Sequence, residues 1–240
     1  MKQAVKIAVL GCGTVGAQVV RLLQERAADY QARCGASLEI IGICVHNLAA
    51  PRPDFISRDL LTDQAEPLID QADLVIELIG GIEPARTYIT RALEAGKSVV
   101  TGNKALLAQH GPELFDLSRE READLYYEAA VAGAIPVVYG LRESLAGDRV
   151  QVVQGIVNGT TNYMLDQMEK KGWSFEQALT TAQELGYAEA DPTADIDGLD
   201  AAAKCALLAQ LAFHTRVSLD QVAVKGIRSI TADDIADAKE

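Results

Sequence analysis

"KIAVLGCGTVGAQVVRLLQ", residues 6–24, changes character at its middle. A short apolar run, Ile7 to Leu10, has the look of a buried strand, and after it Val15, Val19, Leu22 and Leu23 recur at helical spacing. The junction is Gly11-Cys12-Gly13-Thr14-Val15-Gly16. Glycines in a strand-to-helix turn let a pyrophosphate approach backbone N–H groups at the helix N-terminus, where the helix dipole favours an anion. The plain alternative is a turn that only packs a helix on a sheet; the strand before it and the helix after it favour the nucleotide.

Working outward, short β-branched runs alternate with helical patterns through the first half of the chain, the signature of parallel βαβ units. The strands expected are 6–10, 38–45, 74–78, 98–101 and 125–128. In "PARTYITRALEAG", Pro84 opens a helix and Gly96 closes it. After "AGAIP" the pattern changes: a β-rich segment over 149–157 leads through "NGTTN" into a helix, and Ser174 with Gln177 forms the capping box of the next. "SITADDIADAKE" opens a further helix capped by Thr231. The expected class is therefore α/β, a parallel sheet over residues 1–133 followed by an α+β domain over 134–240.

Composition narrows the function. With 240 residues, 49% hydrophobic, the chain has material for one large or two modest cores. A formal charge of −12 with no run of lysine or arginine argues against nucleic acid and anionic membrane as partners. Cys12, Cys34, Cys44 and Cys205 form no CxxC pair, and neither a signal segment nor a membrane-length apolar run is present; a reduced, cytoplasmic setting is expected.

The second strand ends at His46, where a carboxylate that binds a ribose 2′-OH would be expected for NAD. His46 and Arg52 can meet a 2′-phosphate, or His46 is an ordinary loop residue; the lean is to NADP. "DIDGLDAAAKCALLAQLAF", residues 195–213, sets Lys204 four residues after Asp200, on one helix face. Leu207, Leu208 and Leu211 lie on or beside that line, so the pair is expected to be buried and not a solvated surface pair. On the residues alone it is either a structural ion pair or an acid/base pair.

Five motifs in order carry a resemblance to homoserine dehydrogenases: "VLGCGTVG", "TGNKALLA" (101–108), "YEAAVAGAIP" (127–136), "GIVNGTTNYML" (155–165) and "GYAEADPTADIDGLDAAAK" (186–204). The resemblance implies a Rossmann-type doubly wound sheet joined to a substrate and dimerisation domain, and reversible NAD(P)H-dependent reduction of aspartate 4-semialdehyde to homoserine. It places cofactor binding on Gly11, Gly13, Thr14, Val15, Gly16, Thr101, Asn103 and Lys104, and catalysis on Lys204, Asp200 and Lys104. Lys104 is expected at a strand end, to bind the substrate carboxylate or polarise the carbonyl. Substrate binding falls on Glu189 and Asp195, acceptors for an α-ammonium, and on Asn158 and Thr160 of the "NGTTN" turn, which also reads as a simple helix cap. A monovalent cation, Na⁺, is implied at Glu128 and the carbonyls of Val131, Gly133 and Ile135.

The resemblance further implies a homodimer, and more of the second domain beyond residue 240, so that domain is expected to be incomplete here. Two other readings stand beside it: a nucleotide-binding module without turnover, and a related semialdehyde or amino-acid dehydrogenase. Gly159, where acylating aldehyde dehydrogenases carry a nucleophilic cysteine, favours simple alcohol/aldehyde redox.

Overall fold

The computed structural model describes residues 4–238. Its backbone divides into two compact units, Met1–Pro136 and Val137–Glu240.

The first unit alternates strands and helices: β1 (Ala4–Leu10), α1 (Thr14–Glu25), α2 (Ala27–Cys34), β2 (Ser37–Cys44), β3 (Leu61–Thr62), α3 (Ala65–Gln71), β4 (Leu74–Glu77), α4 (Ala85–Glu94), β5 (Ser98–Thr101), α5 (Lys104–Glu120) and β6 (Leu125–Tyr126). All six strands are parallel, in the order β3-β2-β1-β4-β5-β6. This is the doubly wound Rossmann arrangement expected. The strand order reverses at β1, so the crevice between the loops after β1 and β4 is where such sheets take a ligand. Leu10 pairs with Cys44 on one side and Glu77 on the other, which brings these three strand ends to one line. Ile7, Val9, Val20, Ile43 and Ile76 form the core beneath. Large side chains of this kind contribute roughly 1.5–3 kcal/mol each when buried.

Some boundaries differ from expectation. β3 was not expected, because two residues carry too little pattern to be seen as a strand. The last strand is shorter than 125–128: its final partner on β5 is Val100, opposite Tyr126, and the chain then turns through a 3₁₀ helix, Glu128–Ala130. Lys104 opens α5 and does not end a strand; β5 stops at Thr101.

The second unit is helical: α6 (Val137–Tyr139) running into a π-helical turn (Gly140–Ser144), then α7 (Gly159–Lys171), α8 (Phe175–Glu184), α9 (Thr193–Ile196), α10 (Leu199–Phe213) and α11 (Ala232–Asp237). Met164 and Met168 of α7 pack on Ala178 and Ala182 of α8 and on Ile196. The capping box at Ser174 and Gln177 forms as expected, and Thr231 caps α11.

The β-rich segment 149–157 is not a strand. Val152 and Ile156 are 73% and 78% exposed, and the segment pairs with no strand among the described residues. β-propensity reports fit to a pleated surface with neighbours, and without a ladder partner it yields only extended chain.

Candidate functional site

Three glycines shape the loop after β1 for different reasons. Gly11 has φ +97°, and a Cβ there would lie 2.6 Å from the Leu78 carbonyl oxygen; a Cβ on Gly16 would lie 2.2 Å from the Gly11 carbonyl oxygen. Both are required by backbone packing. At Gly13 a Cβ would meet nothing within 4 Å, so the absent side chain leaves open room in front of the α1 N-terminus. Gly13 is also the N-cap of α1, without a side-chain cap bond or an acidic residue in the first turn. Thr14, Val15 and Gly16 form that turn, and Val15 is exposed. Uncapped N–H groups beside open space are the cradle a pyrophosphate needs. The residues present thus fit a dinucleotide.

A cleft of about 730 Å³ opens beside this loop, with Gly11, Gly13, His46, Arg52 and Asp63 among its walls. Arg52 spends two guanidinium nitrogens on its own loop, donating to the carbonyls of Asn47 (3.0 Å) and Ala50 (3.1 Å), while its Nε is buried with no partner. Asp63, just past β3, was not foreseen as a wall of this cleft. It brings a carboxylate that the end of β2 lacks, and with burial it pushes the Cys44 thiol up from the ordinary cysteine value, burial being the larger cause.

A second group of residues ties the neighbouring loops together. Glu77 is fully buried at the end of β4. Its Oε1 accepts from the backbone N–H of Ile79 (2.7 Å) and Gly80 (3.3 Å), and its Oε2 from the Thr101 hydroxyl (2.6 Å). Thr101 Oγ1 in turn accepts from Asn103 N–H (3.0 Å). Asn103 caps α5 through Leu106 N–H (3.1 Å) and donates its amide to the Gly81 carbonyl (2.7 Å). Thr101 and Asn103 thus hold the loops after β4 and β5, and Lys104 follows them at the first position of α5. The sequence signal for Glu77 was a carboxylate ending the apolar run "LVIE".

In the second unit, the Asp200 and Lys204 pair forms as the spacing predicts. Lys204 Nζ lies 2.7 Å from Asp200 Oδ2, with side-chain exposures of 16% and 9%. Lys204 also donates to the Val157 carbonyl (2.6 Å). The helix around them is less uniformly buried than expected: Cys205 is exposed, and Leu199 and Phe213 are 50% and 43% exposed.

Asn158, the N-cap of α7, donates its amide to Asp195 Oδ1 (2.7 Å) and Asp200 Oδ2 (3.0 Å). The four residues therefore form one connected group. Burial lowers the Lys204 ammonium below the ordinary lysine value, and the negative charge of Asp195 works against that fall. A lysine depressed this way is closer to the range useful for proton transfer.

Asp195 is held where it is by tight backbone packing. A Cβ on Gly226 would lie 2.4 Å from the Ile196 carbonyl oxygen, and Ile227 N–H donates to that same oxygen at 2.8 Å. Gly226 is a residue the sequence did not single out. Of the other acids, Asp197 is paired with Arg228. Asp191 accepts from Thr193 N–H (3.1 Å), and hydrogen bonds from Thr193 hold its carboxyl below the usual range. Glu189 is exposed, and its carbonyl accepts from Gln183 (3.0 Å). Thr160 donates to the Tyr187 carbonyl (2.6 Å), tying the start of α7 to the loop that carries Glu189.

Glu128 begins the 3₁₀ turn after β6; Val131, Gly133 and Ile135 follow in a run where Ala132 and Ala134 have φ of 50° and 68°. Alanine in that region costs roughly 1–2 kcal/mol, and such strain persists where something compensates. Among the described residues no group of three His, Cys, Asp or Glu is placed to hold a metal ion.

The sheet order and the Gly13 cradle define a dinucleotide-binding protein of the Rossmann class. Comparison with known proteins carries this further. Residues 11–128 match the family model for the NAD binding domain of homoserine dehydrogenase, and residues 136–240 match the model for homoserine dehydrogenase. The homoserine dehydrogenase of Corynebacterium glutamicum is 53% identical over 99% of this chain, which covers 54% of that protein; the one from Bacillus subtilis is 43% identical over 99%, covering 55%.

Among solved structures, a homoserine dehydrogenase from Thiobacillus denitrificans matches with a TM-score of 0.91 and 38% identity, over 98% of this chain and 55% of that one. A hyperthermophilic archaeal homoserine dehydrogenase in complex with NADPH matches with a TM-score of 0.82 and 25% identity, over 95% of this chain and 75% of that one. The chain belongs to the homoserine dehydrogenase family. It spans about half the length of the curated relatives it matches.

Proposed function

We propose that the protein interconverts aspartate 4-semialdehyde and homoserine with a nicotinamide cofactor, the first unit binding the cofactor and the second carrying the acid/base group and substrate contacts. The observation that carries this reading is Lys204, a lysine depressed by burial and braced by Asp200, in a chain of this family. A bound nicotinamide cofactor supplies or accepts the hydride. Lys204 donates a proton from Nζ to the carbonyl oxygen as the aldehyde carbon is reduced, and in the reverse direction the neutral amine takes the hydroxyl proton. Asp200 fixes the direction of Nζ. Asp195 and Glu189 accept from the substrate α-ammonium, and Lys104 meets its carboxylate or polarises the carbonyl.

The cofactor would be held by Gly11, Gly13 and the first turn of α1, Thr14 to Gly16, and by Thr101, Asn103 and Lys104. The lean to NADP rests on His46 and Arg52 and is opposed by the Asp63 carboxylate in the same cleft. Glu128 with the carbonyls of Val131, Gly133 and Ile135 would hold a structural Na⁺; the left-handed alanines between them support that reading. Family membership supports a homodimer built through the second unit, a cytoplasmic enzyme, and a place in threonine, methionine and isoleucine biosynthesis. No helix among the described residues is long and apolar enough to cross a membrane.

Steady-state oxidation of NADPH with aspartate 4-semialdehyde, with NADH in parallel, tests the reading. Turnover is expected, faster with NADPH at low cofactor concentration. Nucleotide binding without turnover would leave a binding module; turnover only with another semialdehyde would reassign the substrate.

A further inference from the structure

We infer that Asn158 is a positioning residue for Lys204, acting through Asp200 and Asp195, and that its side chain does not itself bind substrate. The inference rests on the assignment of Lys204 as the acid/base group and deepens it.

The side chain of Asn158 is buried and its hydrogen-bonding capacity is full. Its Oδ1 accepts from Thr161 N–H (2.8 Å) and from the Thr161 hydroxyl (2.9 Å), one bond for each lone pair. A backbone N–H can only donate, so this contact fixes which end of the amide is oxygen. The other end, Nδ2, has two hydrogens, and each goes to a different carboxylate, Asp195 at 2.7 Å and Asp200 at 3.0 Å. A substrate cannot add a hydrogen bond here without breaking one of these four.

What the amide accomplishes is electrostatic. Asp195 and Asp200 reach it from separate elements, α9 and α10, and two carboxylates drawn together in a poorly solvated place repel. A neutral NH₂ between them satisfies both without adding charge. Asp200 Oδ2 receives Asn158 on one side and Lys204 on the other, so the oxygen that directs Lys204 is itself held in place.

Other charged groups sit on the elements packed about α10 and beside it. Arg142 and Glu143 of the π-helical turn pair with each other at 2.8 Å, and Asp197 pairs with Arg228. Asp220 lies in the 3₁₀ turn after α10, and Lys225 lines a cavity with Ala201, Cys205 and Val157, whose carbonyl accepts from Lys204.

Asparagine alone combines the two tasks. Asp and Ser also cap helices well, so either retains the start of α7. Aspartate, however, replaces the NH₂ by a third carboxylate, and serine offers one hydrogen for two acceptors.

The test uses Asn158→Asp and Asn158→Ser in the protein as its gene encodes it, including any residues beyond 240. Homoserine oxidation needs neutral Lys204. In Asn158→Asp the extra negative charge should keep the ammonium protonated longer, moving the rising limb of kcat against pH upward by about one unit and lowering kcat near neutrality about tenfold. Any rise in KM for homoserine, transmitted through Asp195, should come together with the moved limb, and Asn158→Ser should lose less kcat than Asn158→Asp. A substrate-binding role predicts the opposite, a raised KM with the limb unmoved, and that result overturns the inference.

If the aspartate variant fails to fold, the serine variant decides: a fall in kcat is expected, and a raised KM with kcat unchanged overturns the inference. Absence of turnover in the unsubstituted enzyme would instead sink the proposed function. The pH dependence of reductive methylation at Lys204, read by mass spectrometry, needs no turnover and should move by the same amount in Asn158→Asp; an unchanged profile there also overturns the inference.

Discussion

Asn103 and Asn158 do the same local work in the two units and different work beyond it. Each follows an extended segment, each is buried, and each caps a helix through the N–H three residues on, Leu106 or Thr161. The difference lies at the other end of the amide. Asn103 gives its NH₂ to the Gly81 carbonyl, a neutral acceptor in the next loop. Asn158 gives its NH₂ to two carboxylates beside a lysine.

The first group, centred on Glu77, satisfies its buried carboxylate with two backbone N–H groups and a hydroxyl. Its product is a fixed pair of loops. The second places a cation against its carboxylates and depresses that cation by burial. The same capping device ties loops together in the first unit, and in the second holds two carboxylates beside a lysine.

Substitutions can break this contrast, and the largest stability effect is expected at Glu77. Glu77→Ala strands a hydroxyl and two N–H groups and leaves a void, so a loss of about 3–5 kcal/mol is expected in urea unfolding, with cofactor binding weakened because the loop lining the cleft is released. A loss below about 1 kcal/mol would mean the carboxylate is not the hub of these loops.

Asn103→Asp comes next. The cap survives, but a carboxylate then faces the Gly81 carbonyl, at a cost of about 1–3 kcal/mol in the same unfolding measurement. The matching Asn158→Asp change is expected to show mainly in the pH profile of turnover. If both aspartate variants behaved alike in stability and in pH profile, the distinction between the two groups would collapse.

Much of the first unit was readable because its signals are local. Gly11, Gly13 and Gly16 sit within six residues, and the strands that flank the crevice are apolar runs. β3 was too short to register, and 149–157 has the residues of a strand but lacks the partner that makes one. In the second unit the Asp200 and Lys204 pair was legible from i,i+4 spacing. Their link to Asn158 was not, since Asp195 and Asp200 lie 37 and 42 residues further along the chain and only folding brings them to it.

Asn158 and Thr160 sit in a polar turn whose composition is the same whether it faces a substrate or its own neighbours, and the fold gives each a hydrogen bond to a neighbour. Gly226 and Asp63 gave no signal of their own. A lone glycine and a lone loop acid acquire meaning only from what the fold sets against them, the Ile196 carbonyl in one case and the cofactor cleft in the other.

The most direct measurement is the turnover of Lys204→Met in the complete enzyme, with aspartate 4-semialdehyde and NADPH near neutral pH. Methionine keeps most of the side-chain volume and removes the proton donor. The expected result is a fall in kcat of about 10²–10⁴-fold with cofactor affinity unchanged, the range a positioned acid/base group supplies. Near-normal turnover would contradict the assignment of Lys204 as the group that moves the proton.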